Sequence, residues 1–350
     1  MKPDFTPKQR LKALAEGRPI DRIPSDFGIG QVALRYLGVD MKKYAEDLNY
    51  KIDSDIAVYR EYNTEKLMAM FSVPELYGAK RVTPKTGHGY VLETEPPTRE
   101  ELRRPYIVDP KTDSRIKPVF DYAEGILEKV GDEIPLGIFM EGTITQAGRI
   151  IGTERLLRLL LKDPEYVFAL LDSILGTQTA LVEAFAGCDV SFGIMDPVSS
   201  GVVISDSHYR TFSKPYQKAL FSVMTRVSGQ KPTVHICGNT TKILRDVAET
   251  GAASFSVDNM MDLELVKREI GDLIPIAGNV KPTETMLLGT PDDVDRDLRQ
   301  CFRKAWDTPA GYIPAFGCGL PMETPKENVE QLLVSLEKYA KWPLDPANFS

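Results

Sequence analysis

Three side chains, His235, Cys237 and Cys318, have the types and the spacing to hold a metal ion. On an extended strand residues i and i+2 point to the same face, so the segment Thr233–Asn239 aims an imidazole and a thiolate at one point. Cys318 ends a second apolar run bounded by glycines and can supply a third ligand. Zinc is the first candidate, because it accepts mixed nitrogen and sulfur ligands. Three protein ligands with a fourth position open describe a catalytic zinc rather than a structural one. The competing reading is that these are ordinary buried thiols, since free Cys is among the most buried residue types. Against it, the chain has only four Cys and three His, and three of those seven stand at strand ends beside glycine. Cys188 and Cys301 lack such neighbours and read as core or surface thiols. His88 and His208, in turn-like segments, read as structural or solvated.

Other apolar runs also end in a residue able to touch a ligand: Glu141, Asp196, Asp258 and Asn279. If the runs are strands of one barrel, their C-terminal ends converge on a single mouth, which is where that fold carries its chemistry. Glu141 is the candidate for holding a substrate or handling a proton near the metal. Its alternative is a helix cap, since loops that lead from strand to helix often end in an acidic residue or Asn. Asp196 is a second catalytic candidate, and with Pro197 behind it the cap reading is equally open.

The elements that must position these residues begin with a helix. Thr6 is its N-cap, Pro7 its first residue and Gln9 completes a capping box; Leu11, Leu14 and Ala15 follow before Gly17 stops it. Residues 18–24 form an extended turn that delivers a first core strand near Ile23–Phe27. From about Gln31 to Lys117 the pattern is mixed, with a helical stretch at Asp55–Tyr62 and a hairpin at Ala79–Glu93; Pro96 and Pro97 read as a linker. Beyond that, short apolar runs alternate with helices. The runs are Ile134–Glu141, Asp189–Asp196, Thr233–Cys237, Ala253–Asp258, Ile274–Asn279 and Tyr312–Cys318; the helices include Glu154–Leu161, Tyr166–Ala186 and Asp292–Trp306. Such alternation means βαβ units and a parallel sheet. Seven strands are placed in this way, one short of a (β/α)8 barrel, and the eighth has no clear run. A doubly wound open sheet is the alternative, but the phosphate loops that usually accompany one, G-x-G-x-x-G and G-x-x-x-x-G-K-[ST], do not occur.

With 350 residues, 42% of them hydrophobic, the chain can bury a large α/β core. A formal charge of −7 offers no basic patch and argues against nucleic acid as a partner. No apolar run approaches the length of a membrane span, and the opening residues lack the hydrophobic stretch of a signal peptide. Four unpatterned cysteines, two of them wanted as thiolates, suit a reducing, cytoplasmic compartment.

Several segments carry a resemblance: Pro7–Leu14 with Pro19–Pro24, Asp196–Ser200, Ile204–Ser205, His235–Asn239, Gly278–Pro282, Gly289–Pro291, and Gly317–Pro321 with Thr324–Asn328. Together they span almost the whole chain and resemble the uroporphyrinogen decarboxylase superfamily. The H-x-C…C constellation is the specific part and is similar to the zinc site of its corrinoid methyltransferase branch. The arginine-rich R-Q-A-G-R segment of the decarboxylases is missing; Ser25–Gly30 stands in its place, and Gln146–Arg149, which looks similar, comes after the second strand and reads as coincidence. Without that cluster a substrate carrying many carboxylates has little to hold it.

The resemblance implies a (β/α)8 TIM-type barrel formed as a single domain over 1–350, with N-terminal additions over 1–117. It maps a carboxylate ligand of related zinc enzymes to Asp258; the shorter Asp, where relatives often have Glu, leaves direct coordination and a water-bridged role both open. The activity implied is movement of a methyl group between a small molecule and the Co(I) corrinoid of a partner protein. The segments Val257–Leu263 and Gly317–Pro321 resemble most the demethylases of methoxylated aromatics, so an aryl methyl ether is the expected donor. Three alternatives remain: a methylcobalamin:coenzyme M (thiol) methyltransferase, a metal-free uroporphyrinogen decarboxylase, and a non-enzymatic corrinoid carrier. Phe27, Tyr36, Tyr59, Phe139 and Met140 fit either an apolar substrate cavity or the core.

Overall fold

A computed structural model describes residues 5–71, 73–79, 81–82, 90–91, 95–110 and 112–350. The first helix, Pro7–Ala15, starts as its sequence requires: Gln9 N donates to Thr6 Oγ1 (3.3 Å) and Thr6 N donates to Gln9 Oε1 (2.9 Å). Among the described residues nine strands follow: β1 (Leu67–Met70), β2 (Arg81–Val82), β3 (Tyr90–Val91), β4 (Leu136–Glu141), β5 (Val190–Met195), β6 (Thr233–Ile236), β7 (Ser254–Val257), β8 (Ile276–Val280) and β9 (Tyr312–Phe316). Seven of them form one sheet in the order β1-β4-β5-β6-β7-β8-β9, and β2 with β3 makes the expected antiparallel hairpin. The tip of that hairpin, and His88 with it, lies outside the described residues. Helices such as Thr143–Ile151, Pro164–Glu183, Lys214–Ser228 and Pro291–Ala305 separate the strands. The fold class is α/β, of the (β/α)8 TIM-barrel type.

Strands buried on both faces read as continuous apolar runs, which is why β4 and β8 coincide with runs seen in sequence; β5, β7 and β9 keep one or two half-exposed positions each, and β6 alternates. All five residues of β8 are buried, as are the first five of β4. The strand missing from the sequence reading is β1, whose Leu67 and Ala69 are buried while Met68 and Met70 are exposed. No helix among the described residues is long and apolar enough to cross a membrane.

The chain divides into two compact units. One comprises Met1–Met68, Glu124–Gly137 and Ser254–Ser350. Within it β7, β8 and β9 run parallel, in register Phe255↔Ile276 and Asn279↔Ala315. The Ile23–Phe27 segment joins β9 through a parallel bridge, Asp26↔Ala315, with Asp26 N donating to Pro314 O (2.8 Å). Lys66, at the entry to β1, pairs with Asp26 (2.7 Å). Arg10 is 1% exposed and is held by Asp21 through two donors (2.7 Å each) and by Glu65 (2.9 Å). This cluster ties the first helix to Asp21, shortly after it, and to Glu65, just ahead of β1. Phe27 and Tyr59 are core residues here, and Tyr36 donates its hydroxyl to Thr324 O (2.7 Å).

The second unit comprises Ala69–Ala123 and Ile138–Ala253. Its strands β5 and β6 are parallel in register Gly193↔Thr233 to Met195↔His235. Phe139 and Met140 are core residues, the former filling the space that a side chain at Gly193 would need.

Candidate metal centre

β6 alternates, with Val234 and Ile236 buried and Thr233 and His235 half-exposed. His235 and Cys237 therefore share the face that the alternation predicts, and His235 Nε2 lies 3.2 Å from Cys237 Sγ. Asp196 N donates to His235 O (2.8 Å), which registers this strand end against the end of β5. Immediately after Cys237 the backbone turns through Gly238 at φ +74°, and a Cβ there would lie 2.6 Å from Ser200 Oγ. Only glycine meets both conditions.

Cys318 follows β9 directly. Gly317 N donates to Val280 O (2.9 Å), and a Cβ on Gly317 would sit 2.3 Å from Asn259 N, so the turn after β7 packs against the backbone beside Cys318. The ligand atoms of His235, Cys237 and Cys318 all lie within 4.8 Å of one another. Among the described residues this is the one group of three or more His, Cys, Asp or Glu side chains so gathered. Tetrahedral zinc with nitrogen and sulfur ligands requires donor separations of about 3.5 Å, so the group fits such an ion.

Asp258 lies outside that group. It is buried, and its Oδ1 accepts from Met260 N (2.9 Å). Asn279 does not end its strand as a free polar group: its Nδ2 donates to Asp258 O (3.0 Å) and Met261 O (2.7 Å).

Glu141 ends β4 and is paired with Arg149, whose Nη2 donates to Oε1 (2.9 Å). It caps no helix, because the N-cap of Thr143–Ile151 is Gly142 and has no side-chain cap bond. Arg149, set aside as coincidence in the sequence reading, is thus the partner of a site candidate. Nothing in a spacing of eight residues across a strand-to-helix turn announces that pairing.

Asp196 turns inward and is 0% exposed. Its carboxylate accepts from Thr145 Oγ1 (2.5 Å), Ser199 Oγ (2.6 Å), Gln217 Nε2 (2.7 Å) and Ser213 Oγ (3.2 Å). Burial pushes its titration upward despite these four donors. Its side chain makes no cap bond to the turn Pro197–Ser199; the geometry is that of a buried polar knot beneath the strand ends. Cys301 is buried in helix Pro291–Ala305, Cys188 is half-buried, and His208 closes a short helical turn, Asp206–His208.

The family model for uroporphyrinogen decarboxylase (URO-D) matches residues 6–339. The chain is 27% identical over 354 residues to the methylcobamide:CoM methyltransferase MtaA of Methanosarcina barkeri, covering 96% of this chain and 99% of that protein. It is 29% identical to the methylcobamide:CoM methyltransferase MtbA of Methanosarcina acetivorans over 350 residues, again 96% and 99%. Among solved structures, a methyltransferase from Methanosarcina mazei superposes with a TM-score of 0.82 over 96% of this chain and 99% of that one, at 24% identity, a likeness of fold. The chain belongs to the uroporphyrinogen decarboxylase family, in which its likeness runs to the corrinoid methyltransferase branch.

Proposed function

We propose that the protein is a methyltransferase that carries a methyl group between a corrinoid and the sulfur of a small thiol, at a metal held by His235, Cys237 and Cys318. The observation that carries the reading is the convergence of one imidazole and two thiols within 4.8 Å in a chain whose full-length relatives are methylcobamide:CoM methyltransferases. An aryl methyl ether, the donor expected from sequence, gains no support from those relatives, whereas the thiol alternative does. His235, Cys237 and Cys318 would hold the zinc, which when bound would supply the Lewis acidity that lets a thiol be deprotonated near neutral pH.

In the transfer the carbon–cobalt bond breaks with its electron pair left on cobalt, giving Co(I), while a carbon–sulfur bond forms and the thiol proton departs. Glu141 is the residue proposed to receive that proton or to hold the thiol's remote end. It ends β4, β5 lies between it and β6, and two strand spacings put the two strand ends about 10 Å apart. Arg149 holds the Glu141 carboxylate in one orientation, so its free lone pairs face a constant direction. The Asp196 knot, bonded through its backbone to His235, keeps the imidazole strand in place and is assigned no contact with substrate. Asp258 is proposed to act beside the metal, directly or through water.

The test is direct. Metal-loaded protein is mixed with methylcobalamin and coenzyme M, and separately with Co(I) cobalamin and methoxylated phenols, the corrinoid spectrum being followed in each. Demethylation of methylcobalamin by the thiol supports the reading. Methylation of Co(I) by an ether with no thiol response overturns it, and absence of bound metal favours the decarboxylase alternative.

A further inference from the structure

We propose that Asn279 is a positioning residue that clamps the turn Asp258–Met261 against Gly317 and so fixes where Asp258 and Cys318 stand relative to one another. The proposal rests on the reading of Cys318 as a metal ligand. Asn279 is buried in β8, one residue before its end, and spends both amide hydrogens on the two ends of one turn, Asp258 O and Met261 O. Its Oδ1 faces the thiol of Cys301 (3.8 Å), which keeps the amide from rotating.

The clamped turn has little freedom of its own. Met261 N donates to Asp258 O (3.0 Å), and Asp258 Oδ1 accepts from Met260 N (2.9 Å), so the Asp258 side chain points wherever the turn points. On its far side the turn meets Gly317, where not even a methyl group would fit against Asn259. Gly317 is in turn bonded to Val280, the residue after Asn279. Asn279 thus closes a loop of contacts that runs through the turn to Gly317, with Cys318 next in the chain, and back to its own strand. If the amide donors are removed, two buried carbonyls lose a partner each and the turn can shift toward or away from Cys318. Residues that orient metal ligands without touching the ion typically govern about 10–100-fold in metal affinity or activity.

The experiment compares wild type with Asn279→Ala, Asn279→Asp and Cys301→Ser. The Asp variant keeps the shape of the side chain but not its pair of N–H donors, and Cys301→Ser keeps a donor toward Oδ1. In metal-free protein, amide hydrogen exchange at Met260 and Met261 should quicken by about 10-fold or more in the Ala and Asp variants, with β7 to β9 still protected. In cobalt(II)-substituted protein the same two variants should shift the visible d–d bands and release cobalt about 10-fold faster, and Cys301→Ser should match wild type. Unchanged exchange and unchanged cobalt spectra in Asn279→Asp would overturn the proposal, as would loss of protection spread evenly over all three strands. Should Asn279→Ala fail to fold, the Asp variant decides alone. Full metal content in Cys318→Ala would instead sink the ligand reading, and the exchange measurement on metal-free protein would still judge the clamp.

Discussion

The carboxylate of Asp196 occupies the space that a side chain on Gly142 would need: a Cβ built on Gly142 would lie 2.1 Å from Asp196 Cγ and 2.4 Å from each carboxylate oxygen. Gly142 is also the N-cap of helix Thr143–Ile151, so the carboxylate sits at the positive end of that helix and is held there by Thr145. Gly142→Ala must displace a buried group with four hydrogen bonds and should cost about 1–3 kcal/mol, seen as a lowered urea midpoint. An unchanged midpoint would mean that the knot is looser than its geometry indicates.

The three metal donors should behave as a set. His235→Ala, Cys237→Ala and Cys318→Ala should each lose most of the bound metal and nearly all methyl transfer, with far-ultraviolet circular dichroism unchanged, because the strand cores do not depend on ligands at their ends. Asp258→Ala should be milder, about 10–100-fold in metal affinity or activity. Elemental analysis of each purified variant decides the matter.

Glu141→Gln keeps shape and removes the charge that Arg149 holds. If Glu141 handles the thiol proton, turnover should fall by about 100-fold or more at unchanged metal content. Turnover equal to wild type would leave the pair a purely structural one.

Arg10→Met would remove the cation that Asp21 and Glu65 share, leaving Arg22, which pairs with Glu65, as the positive charge beside them, and should cost about 1–3 kcal/mol. For Asp21, burial alone would raise the titration, yet the hydrogen bonds from Arg10 prevail and hold it below the usual 3.8. The stability this carboxylate contributes is therefore present above about pH 4 and is lost as pH falls. Urea melts from pH 3 to 7 should show that acid slope in wild type and a weaker one in Arg10→Met.

Burial, helped by the charge of Asp297, pushes the Cys301 thiol from 9.0 up to about 12. Iodoacetamide at pH 8 should leave Cys301 unmodified in the native protein and modify it in urea, as mass spectrometry would report. The unfolded thiol ionises first as pH rises, so stability is intact below pH 9 and declines between about 9 and 12. Cys301→Ala should flatten that alkaline decline.

Most barrel strands were legible because heavy burial leaves apolar runs, and each strand from β4 to β9 begins and ends within two residues of its run, β8 reaching Val280, one residue past the expected Asn279. β1 escaped notice because four residues with Met68 and Met70 outward give neither a run nor a long alternation. The pairing of His235 with Cys237 followed from strand geometry alone, whereas the arrival of Cys318 beside them depended on the order of the sheet. Asp196 shows the limit of local reasoning. A cap is a bond to a neighbour two or three residues on, but the partners that define this carboxylate include Thr145, Ser213 and Gln217, which stand 51, 17 and 21 residues away. Asn279 escaped in the same way: its type was noted, but the turn it holds lies 18 to 21 residues earlier in the chain.

The bridge between Asp26 and Ala315 joins residues that stand 289 positions apart in the chain. At about 5–20 residues per second on the ribosome, the Ile23–Phe27 segment emerges roughly 15–60 s before the strand it is to pair with exists. During that interval its backbone donors and acceptors have water or a chaperone as partners, not β9, and Asp26 has no fixed edge to lie against. The Ile23–Phe27 segment is thus among the last to find its place, and synthesis of the protein depends on a segment that can wait without aggregating. The short, charge-bearing sequence Ile20–Phe27, with Pro19 before it and Pro24 within it, is suited to that wait.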